Sequence, residues 1–396
     1  MSDLRPDPSA PLPGPPDPWA GSEMPSHRDG PPFHMTEMID AEPELAARLL
    51  SRLADPDGGA ARLAEALRTA AANGARVLVT GCGTSEHGAQ AVAEILRGAF
   101  AGLAPVPMQA FEASLERELG DREALVIGIS HEGGTWATNL ALQRAKAAGA
   151  GVAIITVSEQ SPGAQLADVV VATEEQDQSW CHTVGYLSPI LAASALAGHL
   201  AGRAADVSAA QSLLAAGLTS DATRATEQLA GALANVERLI VVGSGVDRPA
   251  ARELVLKVEE GAHLPAAMRD LETVLHGHLA GMDEHTGMVL LLTDRARAGE
   301  RAERAKGVLR AAAALGIATG AILGAGYDDR IPADLTAAGR VIVPEAPTLP
   351  SPAASLLGSA VPLQLLTERL ARARGMNPDP IRRDDPVYLR AAEVAG

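Results

Sequence analysis

Aromatic side chains are nearly missing from this sequence: 396 residues include three Trp, three Tyr and three Phe. Ala, Val, Leu and Ile must therefore fill the core, and a hydrophobic share of 47% is enough for a large one. Cysteine is as scarce. Cys82 and Cys181 cannot make a disulfide framework or a Cys-rich metal site. Lysine occurs only as Lys146, Lys257 and Lys306 among 33 basic residues, so chemistry that needs an amine has few candidates. Basic charge is in deficit too. A net charge of −16 argues against nucleic acid or an anionic membrane surface as the main partner, while a small anionic ligand in a local pocket stays compatible with it. No apolar run reaches the roughly 20 residues that span a bilayer. The opening residues lack the apolar stretch of a signal peptide. A cytoplasmic protein is the expectation.

Residues 1–33 hold ten of the 27 prolines, with Gly, Ser and Asp between them. Such a stretch buries too little apolar surface to offset its ordering entropy, so a disordered, dispensable tail is expected there. Helical periodicity follows over 43–53 and 60–73. From Arg76 the pattern changes to short, continuously apolar runs at 76–80, 124–130, 151–157 and 167–172, alternating with helix-length segments. That alternation predicts parallel βαβ units with helices on both sheet faces. The pattern then recurs. Arg238-Leu-Ile-Val-Val-Gly-Ser-Gly245 copies Arg76-Val-Leu-Val-Thr-Gly-Cys-Gly83 at an offset of 162 residues, and 288–293 and 317–323 answer the later strands. The expected organisation is an α/β domain over 34–208, a second over 209–372, and a C-terminal tail over 373–396. One long helical stretch, 188–218, is expected to link the domains.

Ligands of open parallel sheets bind beyond the carboxyl ends of the strands, at helix N-termini. Two turns in the first half have that form. Gly81-Cys82-Gly83-Thr84-Ser85 offers backbone N–H groups and two hydroxyls. Ser130-His131-Glu132-Gly133-Gly134-Thr135 offers the same with a hydroxyl at each end. Neutral donors of this kind favour a phosphate; the same residues also make tight turns and N-caps. Four histidines, His263, His276, His278 and His285, lie close together in the second half, but no pair has a recognised ligand spacing such as His-Glu-x-x-His, and no metal or other cofactor is expected. Neither loop reads Gly-x-Gly-x-x-Gly, which argues against a dinucleotide.

These residues resemble a known family. Gly81–Ser85 resembles the first glycine-rich loop of the sugar isomerase (SIS) domain, and Ser130–Thr135 its phosphate loop, usually Ser-Gln-Ser-Gly-Glu-Thr. Met35-Thr-Glu-Met-Ile-Asp-Ala-Glu-Pro43, Ser179-x-x-x-Thr183-x-x-Tyr186, Val255-Leu-Lys-Val-Glu-Glu260 and Gly375-Met-Asn-Pro-Asp-Pro380 resemble further segments of double-SIS proteins. That group includes the isomerase half of glutamine–fructose-6-phosphate aminotransferase and stand-alone phosphosugar isomerases, deaminases and deglycases. The resemblance covers about residues 35–390. It implies two tandem SIS domains, each a five-stranded parallel sheet flanked by helices in a flavodoxin-like three-layer sandwich. It implies that Cys82, Gly83, Thr84, Ser85, Ser130, His131, Glu132, Gly133 and Thr135 surround a sugar or sugar phosphate. Glu260 becomes the base that moves a proton between C1 and C2 through an enediol. Lys257 becomes a group holding substrate hydroxyls. His276 becomes the ring-opening group, reaching in from the second subunit of a homodimer.

Three departures from the family pattern stand out. Glu132 occupies a serine position, and a carboxylate in a phosphate cradle is repulsive; His131 replaces a glutamine beside it. The tail lysine that can form a Schiff base in the family is absent: its place falls near Pro386, and Arg382 or Arg383 can supply charge but no imine. No glutaminase segment precedes residue 35, so glutamine is not the expected nitrogen source. Two functions follow as expectations: a sugar or sugar-phosphate isomerase or deaminase, or a non-catalytic sugar-phosphate sensor that kept the fold.

Overall fold

The computed structural model describes residues 7–14, 27–116 and 124–395. Among the described residues ten strands form two wholly parallel sheets. The first takes β1 (Val77–Gly81), β2 (Val106–Gln109), β3 (Leu125–Ile129), β4 (Gly151–Thr156) and β5 (Val169–Ala172) in the order β2-β1-β3-β4-β5. The second takes β6 (Arg238–Gly243), β7 (Ala266–Asp270), β8 (Thr286–Leu292), β9 (Ala318–Gly324) and β10 (Gly339–Val343) in the order β10-β9-β8-β6-β7. Read from the other edge, the second order is the first shifted by five strands. The repeat seen in the sequence is thus a repeat of topology, and the order is the flavodoxin-like one. The interior strands β1, β3 and β8 are buried throughout, which is why they read as unbroken apolar runs.

The periodicity did not disclose β2 and β7. Both are edge strands that are at most partly buried, with polar or proline residues inside them. Pro107 is tolerated there because an edge strand needs fewer ladder donors. The expected single linking helix is two helices, Val184–Leu200 and Val207–Ala216. Gly202 breaks the run in a left-handed conformation (φ 67°), and Asp206 starts the second helix by accepting from Ala209 N at 3.0 Å.

One hydrophobic cluster of Leu, Ala, Val and Ile runs across both sheet units. Its centre is helical. Val184–Leu200 and Ser351–Ala373 are buried along nearly their whole length, with Thr84–Ala99 and His34–Leu53 against them. A helix that is apolar all round has to lie inside. Smaller clusters cover the outer face of each sheet. Among the described residues no helix is long and apolar enough to cross a membrane.

Part of the N-terminal segment departs from the expected disordered tail. Leu12 packs on the core and its N–H donates to Glu175 at 2.9 Å; Glu175 also pairs with Arg48. Arg28 pairs with Glu37 at 2.7 Å, and Phe33 is 5% exposed. Residues 1–6 and 15–26 lie outside the described residues. A few apolar and charged anchors suffice to dock a proline-rich strand, since its proline residues give up little backbone freedom. Truncation to remove residues 1–33 is accordingly expected to lower the melting temperature by several degrees. Differential scanning calorimetry of the shortened chain checks this; an unchanged transition would show that these contacts contribute nothing.

Candidate active site

The carboxyl ends of β1 and β3 lie side by side, because the two strands pair in register (Thr80 against Gly128). Their loops therefore form one surface at the point where the strand order reverses. After β1 the chain turns through Gly83 (φ 57°) into the helix Thr84–Ala99. After β3, Ser130 is buried and its hydroxyl lies 3.4 Å from that of Thr135, which precedes the helix Trp136–Ala147. Gly133 lies between them at φ 69°, where a side chain would collide with Ser161.

The second domain meets this surface with the helix Arg248–Ala262. Its residues Glu253, Lys257 and Glu260 recur at four and three positions, so all three share one face. Glu253 is fully buried. Thr84 Oγ1 donates to its Oε1 at 3.2 Å, His87 Nδ1 lies 2.7 Å from its Oε2, and Lys257 Nζ is 3.6 Å from Oε1. Lys257 Nζ then donates to Glu260 Oε2 at 2.5 Å. Burial works against the Lys257 ammonium, but Glu260 and Glu253 outweigh it and hold its pKa well above the ordinary lysine value. Burial dominates at Glu260 instead and raises its pKa, with Lys257 opposing. At Glu253, Lys257 and His87 together overcome burial, and the pKa is lowered.

A third loop, 177–183, closes the site. Asp177 accepts N–H bonds from Ser179 (3.1 Å), Thr183 (2.7 Å) and Gly185 (3.1 Å), which shapes the turn before the helix Val184–Leu200. The turn carries Trp180 and His182. His182 stacks on Trp180 and meets His131 edge-on, 5.5 Å between ring centres. Both histidines are held neutral. Burial pushes His131 down to about 4 and His182 down to about 3. His131 Nε2 also accepts Asp177 N–H at 2.9 Å, which leaves no room for a proton on that nitrogen. From the tail, Arg383 lies over the Trp180 ring at 3.5 Å and feels both Glu132 and Glu260.

The structure thus brings Thr84, Lys257 and Glu260 together, with Glu132 joined to them through Arg383. It turns Thr84 toward Glu253 rather than leaving its hydroxyl free. Cys82 lies 3.6 Å from Gln109 Nε2, on the β2 side of its loop. Ser85 stays half-buried on the first turn of its helix. His276 stands apart. It is 69% exposed on the loop after β7, where its Nε2 lies 2.7 Å from Glu272 Oε1, and Glu272 in turn pairs with Arg304. That loop adjoins the start of the helix Arg248–Ala262, where Arg248 pairs with Asp270. Glu260 lies twelve residues along the same helix, about 18 Å away. Within one chain His276 and Glu260 are at opposite ends. Among the described residues no group of three or more His, Cys, Asp or Glu side chains is placed to hold a metal ion.

Glu253, His87, Trp180 and His182 were not evident from sequence. Glu253 has a signal in retrospect: it continues the Glu260–Lys257 face by one more turn. Trp180 and His182 lie inside a motif whose ends alone were diagnostic.

Residues 70–201 match the family model for the SIS domain. That stretch holds β1 to β5 and the loops that follow β1 and β3. The isomerizing glutamine–fructose-6-phosphate aminotransferase of Symbiobacterium thermophilum is 29% identical over 374 residues, covering 89% of this chain and 58% of that one. The chain therefore spans somewhat over half the length of that curated relative. Among solved structures, the C-terminal domain of glucosamine-fructose-6-phosphate aminotransferase from Francisella tularensis superposes with a TM-score of 0.75 at 19% identity, covering 89% of this chain and 99% of that one. Tagatose-6-phosphate ketose/aldose isomerase from Escherichia coli gives 0.69 at 18%, covering 91% and 98%. These likenesses span both sheets, and the second sheet repeats the strand order of the first.

Two consequences are measurable. Lys257→Met leaves two buried carboxylates without their shared cation, so stability should fall by about 3–5 kcal/mol; urea unfolding checks this. Acidification should also destabilise the fold through His131 and His182. Unfolded, each takes a proton near pH 6.5, whereas folded they resist until about pH 4 and about pH 3. Their contribution is complete above the unfolded pKa and drains away as pH falls from 6.5, by at most about 2 kcal/mol per histidine at pH 5. The denaturation midpoint of a His131→Gln, His182→Gln variant should decline less between pH 7 and pH 5 than that of the natural protein.

Proposed function

We propose that this protein is an aldose–ketose isomerase or deaminase of a sugar phosphate, acting through an enediol in the cytoplasm. The observation that carries this reading is the pair Lys257–Glu260: a carboxylate whose proton affinity is raised by burial, set against a permanent ammonium, facing the Ser/Thr loops of a SIS domain. A carboxylate so tuned is a better base at neutral pH than a solvated one. Glu260 would take the proton from the carbon next to the carbonyl. The C–H electron pair becomes the carbon–carbon double bond while the carbonyl π pair moves onto its oxygen, which takes the proton that the neighbouring hydroxyl gives up as the new carbonyl forms, and Glu260 returns the carbon-bound proton at the neighbouring carbon.

Lys257 serves here as a charge and not as a nucleophile. An amine held between two carboxylates stays protonated and cannot attack a carbonyl. Lys146 and Lys306 are ion-paired elsewhere, with Asp168 and Glu303. Covalent imine chemistry on a protein lysine is therefore not part of this reading. The exposed position of His276, remote from Glu260, supports the homodimer in which His276 of a second copy completes the site. The relatives named above carry such activities in their own names, which supports the same reaction class.

A Glu260→Gln variant keeps size and polarity but cannot accept the proton. Turnover should drop by about 10² to 10⁴ while ligand binding is kept. Deuterium incorporation at C1 or C2 of a phosphosugar in heavy water, followed by NMR, measures this without knowledge of the product. Tight binding by the natural protein with no exchange would establish the sensor function instead.

A further inference from the structure

The tail segment around Arg383 is built, not draped. Asn377 Nδ2 donates to Arg28 O at 2.8 Å. The Asp379 carboxylate accepts His34 N–H at 2.8 Å and Met35 N–H at 2.9 Å, capping the helix His34–Leu53. Trp180 N donates to Asp379 O at 3.1 Å, which ties the tail to the third loop. The next two residues, Ile381 and Arg382, both take positive φ (43° and 61°). A β-branched residue rarely adopts that conformation, and such strain persists only where the surroundings hold it and tends to collect at functional positions. The turn closes with Arg383 N donating to Pro380 O at 2.8 Å. Its outcome is a guanidinium over Trp180, with Cζ 3.5 Å from the ring centre.

That guanidinium sits within the electrostatic reach of Glu132 in the first domain and Glu260 in the second. The guanidinium carries five N–H donors in one plane, and the Trp180 ring beside it fixes where they sit. The neighbouring loop offers only neutral donors, Ser130, Thr135 and the N-terminus of the helix Trp136–Ala147, together with the carboxylate of Glu132. An anion entering that cradle meets repulsion from Glu132 and needs a cation to offset it.

We propose that Arg383 is the specificity-determining residue of this site: it binds the phosphate of a phosphosugar in concert with Ser130 and Thr135, held in place by Trp180 and balanced by Glu132. The inference rests on the proposed sugar-phosphate site for its location, and not on turnover. Arginine suits the task because its planar fork matches phosphate oxygens two at a time, and stacking on Trp180 reduces the freedom lost on binding.

Titration calorimetry tests this with the full-length protein and four probes: fructose 6-phosphate, glucosamine 6-phosphate, free fructose and glucuronate. Arg383→Gln should weaken the phosphorylated probes by about 100-fold and leave free fructose within about twofold, with no change in melting temperature. Arg383→Lys should recover part of the loss, and Trp180→Leu should weaken the same probes by about tenfold, since the ring only fixes the guanidinium. Unchanged phosphosugar affinity in Arg383→Gln overturns the proposal, as does natural protein that binds neither phosphorylated probe. Glucuronate bound in preference to the phosphosugars, and lost in Arg383→Gln, overturns the phosphate assignment. Phosphosugar binding that depends on Arg383 without any C–H exchange upholds this inference while removing the isomerase reading.

Discussion

Glu253 is a carboxylate with no access to solvent that touches both halves of the molecule. Burying such a charge is costly unless every oxygen is engaged. Here Thr84 and His87 come from the first domain and Lys257 from its own helix. Each partner is needed to keep the charge tolerable, so the start of the helix Thr84–Ala99 and the middle of the helix Arg248–Ala262 are held in fixed relation. The glycine-rich loop of the first domain and the Lys257–Glu260 pair of the second are aligned by that requirement. Shape complementarity of Ala and Leu could hold the same helices together, but apolar contacts are non-directional and would not set the angle of Glu260.

The same cluster decides what chemistry is open to the protein. Lys257 is locked as a cation, His131 and His182 are neutral, and Glu260 combines a raised proton affinity with a position facing the first-domain loops. A carboxylate of raised proton affinity beside a fixed ammonium favours proton transfer and charge stabilisation over covalent catalysis.

The two domains share a topology yet differ at the equivalent crevice. In the second sheet the Arg301 guanidinium lies over Gly245 and pairs with Asp294, whose backbone N–H is in turn held by the buried Asp247. Arg248–Asp270 and Arg304–Glu272 pairs line the rest of that crevice. Side chains of the protein thus satisfy one another there. In the first domain the corresponding loops are lined by hydroxyls and a glycine that admits no side chain.

Strands, helices and the internal repeat were legible in the sequence because each follows from local periodicity. The continuous apolar runs could only be strands covered on both faces, and the glycine-rich turns could only fall at their carboxyl ends. Lys257 and Glu260 were legible as one face of one helix for the same reason. The edge strands β2 and β7 were not, since partial burial erases the apolar signature, and neither was the docking of residues 7–14 and 27–33. What the tertiary structure alone decided is which distant residues meet. Thr84 and Glu253 are 169 residues apart, and His34 and Asp379 are 345 apart. No spacing rule spans such intervals, because the fold and not the chain brings them within hydrogen-bond reach. The placement of Trp180, His182 and Arg383 in one site, and of His276 at the far end of its domain, belongs to that second class: each depends on where two packed layers face each other.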